Sequence, residues 1–186
     1  MNKKISKIIT LAVFITLVVV FSYIRIRFGE GSVHLGNGMC LLSGLVLTPF
    51  LGGVAAGVGS MIFDIFAYPT AFSFEFLITF FTKFMMAFVC GMVFRAIKKL
   101  FSKVYKANID VISIILSGIA GEIAYIVLYL TKSYFENIYI IGISKDIIFP
   151  LLIGKLIASL INAVFAVVMA SVLYSVIMRI IKKENL

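Results

Sequence analysis

Three ionisable residues sit inside long apolar runs: Lys83 in FLITFFTKFMMAFVCGM, Glu122 in VISIILSGIAGEIAYIVLYL and Lys155 in IIFPLLIGKLIASLI. A charge at the centre of a bilayer costs at least about 2.5–3.5 kcal/mol on the insertion scale, so such groups should turn inward and meet each other or a ligand. Each belongs to a stripe at helical spacing. The stripes are Thr79, Lys83 and Met86; Gly118, Glu122, Tyr125 and Tyr129; and Lys155, Ser159 and Asn162. Counted from the outer end of its own segment, each charge lies roughly nine or ten residues in, about 13–15 Å at helical rise. The expectation is a polar pocket open to the outside, walled by three stripes at one depth. One carboxylate cannot neutralise two ammonium groups, so a ligand with an anionic or electron-rich edge would suit the remainder. The plainer alternative is a structural ion pair between Glu122 and one lysine. Asp64 is a possible second carboxylate, in ligand contact or between helices.

His34 is the sole histidine. With no cysteine beside it and no H-x-x-E pattern, it is a poor metal ligand, and it is expected in a lid over the pocket or in a solvated turn. Asn37 is placed to cap the following helix and leave N–H groups pointing at an acceptor on a ligand. Tyr23, Tyr68, Phe72 and Phe76 join Tyr125 and Tyr129 as aromatic surface near the outer face, much of which an interfacial belt would supply anyway. Cys40 and Cys90 lie in apolar segments without metal-ligand spacing and read as small hydrophobes.

The elements that carry these residues follow from composition. Of 186 residues, 62% are hydrophobic, against about 45–50% in ordinary globular domains. The chain therefore reads as an all-α integral membrane protein, one domain of six transmembrane helices. The spans are expected over 5–24, 37–47, 50–67, 74–94, 111–131 and 147–178. The second is short for a crossing, which needs about 17–25 residues, so a re-entrant hairpin competes there. Thr48-Pro49 breaks it from the third, and Gly52, Gly53, Gly57 and Gly59 allow close helix approach. The net charge is +9. Its basic residues cluster at Lys3, Lys4 and Lys7, at Arg95, Lys98, Lys99, Lys103 and Lys106, and at Arg179, Lys182 and Lys183. Six spans put all three clusters on one side, so both termini should be cytoplasmic, and nucleic acid is not needed to explain the charge. Residues 98–106 are expected as an interfacial amphipathic helix. Tyr23–Arg27 offers no small-residue cleavage site, so the first segment reads as a retained helix.

The run His34-Leu35-Gly36-Asn37, then Thr48-Pro49-Phe50-Leu51-Gly52-Gly53, Gly57-Val58-Gly59-Ser60 and Asp64 resembles the H-L-G-(D/N), G-P-x-x-G and G-x-x-S-x-x-x-D pattern of the S components of energy-coupling factor (ECF) transporters. The resemblance extends over nearly the whole chain through the six-span layout. It implies a prokaryotic plasma-membrane subunit without ATPase activity that captures a small vitamin or precursor in a cavity formed by the first loop and spans 4 to 6. The implied partners are a membrane coupling (T) component and two cytoplasmic ATPases, with toppling of the S component carrying the substrate inward. Docking in that family uses Ala-x-x-x-Ala on span 1; here Ala12 and Thr16 hold those places. No cofactor or metal is implied.

The residues agree in one respect: the glycine run near Gly53–Gly59 lacks the Lys-Ser/Thr of a P-loop, so active uptake would draw energy from partners. Two other functions remain. A membrane-embedded enzyme would use Glu122 and His34 as acid–base groups, and a free-standing proton-coupled carrier would use Glu122 as its proton site. The sequence leaves the vitamin open among a flavin, a pyridoxine-like ring, a hydroxymethylpyrimidine and a carboxylate-bearing molecule.

Overall fold

The computed structural model describes residues 3–28, 31–68, 73–101 and 109–184. Glu30, Pro69, Thr70, Phe72, Lys103 and Lys106 lie outside them, and so does the expected interfacial helix beyond Phe101. The described residues form six α-helices: α1 (Lys3–Tyr23), α2 (Gly36–Val46), α3 (Pro49–Ala67), α4 (Ser73–Phe101), α5 (Ile109–Phe135) and α6 (Lys145–Glu184). A π-helical turn, Glu136–Ile141, extends α5. Between α1 and α2 stands a two-stranded antiparallel hairpin, β1 (Arg25–Phe28) and β2 (Gly31–His34), pairing Arg25 with His34 and Ile26 with Val33.

Lipid-facing chemistry explains the helix surfaces. On α6 the exposed residues Ile153, Ile157, Leu160, Val164, Val168 and Val172 recur every three or four positions, one apolar stripe along the helix. The opposite faces hold small and polar residues. Among the described residues five helices are long and apolar enough to cross a membrane, and α2 is not one of them. At about 1.5 Å per residue it spans about 16 Å, half of a hydrocarbon core of about 30 Å. The six-span expectation is thus met in length by five helices. The β-hairpin stands above α2, and the two are joined at Leu35, whose N–H donates to Ile24 O at 3.2 Å.

A helix this short survives because it is enclosed. Gly36 through Leu45 are all buried, with α1, α3, α4 and α6 packed around them. Small residues set the spacing: a Cβ on Gly44 would lie 2.2 Å from the Ala87 carbonyl oxygen, and one on Gly52 would lie 2.7 Å from the Gly44 Cα. Backbones that close gain dispersion contacts in lipid, where hydrophobic burial offers no drive. The end of α2 is dictated by Thr48-Pro49. A residue before proline avoids helical geometry, and Thr48 is extended, with its side chain accepting from Leu51 N to start α3. The last carbonyls of α2, orphaned by the turn, are taken up by Arg95. Its Nη1 donates to Gly44 O at 3.3 Å and to Gly91 O at 2.8 Å, and its Nη2 donates to Leu47 O. Arg95, read from sequence as part of a cytoplasmic basic cluster, is half-buried and closes the lower end of the central helix.

Candidate functional site

Above α2 lies a cavity of about 430 Å³. Its floor is a buried polar relay. Lys83 Nζ on α4 donates to Asn37 Oδ1 at 2.5 Å, and Asn37 Nδ2 donates to Glu122 Oε2 on α5 at 3.4 Å. The same ammonium stands 3.6 Å from the ring centroid of Tyr125, which stacks on Tyr129 with centroids 5.7 Å apart. A desolvated cation–π contact of this kind is worth about 2 kcal/mol. Lys83 is 5% exposed and Glu122 2%, so each charge depends on the network to offset its lost hydration.

Of the residues singled out from sequence, His34, Asp64, Thr79, Lys83, Tyr125, Lys155, Ser159 and Asn162 line the cavity. Asn37 and Glu122 do not; they form a layer beneath Lys83. Asn37 is also not the cap of its helix. That position is Leu35, without a side-chain cap bond, and Asn37 sits inside the first turn, where its amide can accept from one helix and donate to another. Met86 is fully buried core, and Gly118 packs against Val167. The plain ion-pair reading is replaced by a link through an amide, because Asn37 stands between ammonium and carboxylate.

The expectation of one common depth fails at Lys155. Its ammonium donates to Ser133 Oγ at 2.7 Å, and Ser133 lies eleven residues beyond Glu122 on α5, about 16 Å at helical rise. The reason is the α5–α6 hairpin. The helix expected to stop at 131 continues to Phe135 and then through the π-helical turn to Ile141. Glu75, near the start of α4, lies 3.7 Å from Lys132 Nζ, so the hairpin stands higher than the α3–α4 end. Counting inward from each helix's own end therefore started from two different levels. Lys83 and Lys155 occupy opposite ends of one chamber.

The rim at the Lys155 end contains residues outside the three stripes. Lys132 Nζ lies 3.2 Å from Glu136 Oε2 as well as near Glu75, joining α4, α5 and the π-helical turn. Arg25 of β1 donates to the Tyr68 hydroxyl, and its guanidinium carbon lies 5.5 Å from the Phe63 centroid and 5.3 Å from that of Tyr68. This ties the β-hairpin to the end of α3. Only the i,i+4 spacing of Lys132 and Glu136 gives a local sequence signal for these rim charges. His34, at the end of β2, donates its backbone N–H to Asn162 Oδ1 on α6 at 3.3 Å. Burial, with Lys83 and Arg25 close by, lowers its pKa to about 3, so the ring is neutral.

The chamber offers donors, acceptors and aromatic faces. Glu122 is sealed below the floor, and His34 Nδ1 is buried. Among the described residues no three His, Cys, Asp or Glu come together as a metal cluster. Polar side chains and aromatic faces around a chamber of this size suit a small polar ligand. Comparison with known proteins gives the family. The model of the ECF-type riboflavin transporter S component matches residues 2–179, and the chain belongs to that family, whose members are substrate-binding transporter subunits and not enzymes. A solved structure of the S component of a bacterial ECF transporter has the same fold, with a TM-score of 0.66 at 15% identity over 97% of this chain and 99% of that one. No curated protein matches the chain.

Proposed function

We propose that this protein captures riboflavin from outside a prokaryotic cell and delivers it inward as part of an ECF importer with a T component and two ATPases. The observation that carries the reading is the shape of the chamber. One end is a buried ammonium beside stacked tyrosines, and the other is a polar rim. Tyr125, beneath Lys83 Nζ, and Ser133, which holds Lys155, are eight residues apart on α5, about 12 Å. Riboflavin has a flat tricyclic ring with a carbonyl-bearing pyrimidine edge and a flexible polyhydroxy chain. The ring suits Tyr125 and Tyr129, the pyrimidine edge suits the donors left on Lys83, and the chain suits Ser159, Asn162 and Lys155. A volume of about 430 Å³ falls in the range for small-molecule sites.

The surrounding assignments rest on the same reading. The chain crosses six times, with α2 as a short second crossing that starts below the membrane surface, under the β-hairpin. Lys4, Lys7, Lys98, Lys99 and Arg179 face the cytoplasm with both termini, by the positive-inside rule. Ala12 and Thr16 are exposed on α1, where the Thr16 hydroxyl donates to the Ala12 carbonyl at 3.0 Å. A small, self-satisfied patch of this kind suits close docking of the T component.

The test uses the absence of tryptophan from the chain, which leaves flavin fluorescence free of indole quenching. Purified protein should quench added riboflavin saturably at one to one, by stacking on Tyr125 and Tyr129, and native mass spectrometry should show the same adduct. No saturable quenching, with a different vitamin co-purifying, would overturn the substrate. Uptake that survives loss of the ATPases and collapses with the proton gradient would overturn the importer and favour a proton-coupled carrier.

A further inference from the structure

His34 is held by backbone on both sides and by its surroundings. Its own N–H reaches Asn162 Oδ1, and the next residue, Leu35, donates to Ile24 O. The ring nitrogen Nδ1 is buried without a hydrogen-bond partner, an arrangement that costs free energy unless something nearby favours it. It is sealed at the junction of α1 and α2, where a Cβ on Gly36 would lie 3.0 Å from Nδ1 and 2.2 Å from Ser22 Oγ. The Ser22 hydroxyl proton is committed to Val18 O at 2.7 Å. The helix residue beside Nδ1 is Gly36, the first of α2, and the cap residue, Leu35, makes no side-chain cap bond. The amide end of a helix carries partial positive charge, so a lone pair on Nδ1 is favoured and a proton there is not. Lys83 and Arg25 add positive charge and keep the ring from taking a second proton.

A neutral imidazole with its lone pair at Nδ1 carries its hydrogen at Nε2. His34 lines the chamber, and with Nδ1 sealed, the Cε1–Nε2 edge is what the side chain can offer to it. We infer that His34 is a specificity-determining residue whose Nε2–H donates to an acceptor atom of the bound ligand, a carbonyl or hydroxyl oxygen, in a tautomer selected by the first turn of α2. This rests on the chamber being the ligand site and assigns a polarity to one point of it: an acceptor is accepted there, and a group offering only hydrogen is refused.

Because the chain has one histidine, labelling with nitrogen-15 histidine puts a single ring in the spectrum. The unliganded protein should show protonated Nε2 and unprotonated Nδ1. Saturation with riboflavin should move the Nε2 signal and leave Nδ1 in place. In titrations, His34→Gln, whose amide reaches the Nε2 position, should bind within about threefold of wild type, and His34→Asn, whose amide reaches only the Nδ1 position, should lose at least about tenfold, the worth of one hydrogen bond. A hydrogen on Nδ1 in the free protein, an unmoved Nε2 signal at saturation, or wild-type affinity in His34→Asn would each overturn the assignment. Should wild type fail to bind riboflavin, the substrate reading falls, while the tautomer of the free protein still tests the role of α2. The wild-type spectrum decides even if a variant does not fold.

Discussion

Replacing Lys83 by Met keeps most of the side-chain volume and removes the charge, so its cost measures the relay and not a cavity. Three losses overlap. A hydrogen bond from an ion to Asn37 is worth about 1.5–3 kcal/mol, the contact with Tyr125 about 2 kcal/mol, and leaving one member of a buried charge pair alone costs about 3–5 kcal/mol. These describe the same ammonium and are not summed; destabilisation of about 3–5 kcal/mol is expected, dominated by Glu122, only 2% exposed and left without its cation. Glu122→Gln should cost less, about 1–3 kcal/mol, because the Gln carbonyl still accepts from Asn37 and Lys83 keeps Asn37 and Tyr125. In the double variant both charges are gone, and its stability should be no lower than that of Lys83→Met alone, a coupling at least as large as the Glu122→Gln cost, about 1–3 kcal/mol. The assay is reversible unfolding in mixed micelles for all four proteins. Additivity within about 0.5 kcal/mol would refute the relay, because groups joined through Asn37 cannot act independently.

Other perturbations probe separate parts of the fold. Gly44→Ala drives a methyl against the Ala87 backbone and, since the obstacle is not a flexible side chain, should destabilise by about 3 kcal/mol or more, the upper end for overpacking, read in the same unfolding assay. Arg95→Met strips the donors from the α2 carbonyls and should cost about 1–3 kcal/mol, the penalty for a buried acceptor left bare; hydrogen exchange should quicken in Leu45–Leu47 before it does in α5. Lowering pH should destabilise the wild type between about 6.5 and about 3, since the unfolded chain takes up a proton that folded His34 refuses beside Lys83 and Arg25. His34→Gln should remove that slope from the unfolding midpoint and leave the rest of the pH profile.

The hydrophobic segments, the Thr48-Pro49 break and the identity of most chamber residues were legible because each is a local property. A stripe at helical spacing needs no knowledge of neighbouring helices, and Lys83 in the middle of a phenylalanine-rich run must face inward wherever that run ends up. The error over Lys155 shows the limit. Depth is a relation between helices, and neither the extra length of α5 nor its π-helical turn appears in hydropathy, since 132–141 mixes charge with Ile and Tyr. Asn37 was noticed for the wrong role: its position before an apolar run suits a cap, and only the approach of α4 and α5 makes it a bridge. Arg95 was hidden more completely. Its partners, Gly44 and Leu47, are separated from it by about fifty residues, and they are backbone carbonyls with no sequence signal.

Sequence alone determined the solvent of this protein, its helical character, its family resemblance and which polar residues could not face lipid, because each follows from side-chain chemistry and its period. Tertiary structure alone decided that a half-length helix forms the centre, that Asn37 mediates between Lys83 and Glu122, and that the two lysines stand at opposite ends of one chamber. Those facts depend on how far each helix extends past its neighbours and on where glycine lets backbones meet, which are distances between segments and not properties of any one of them.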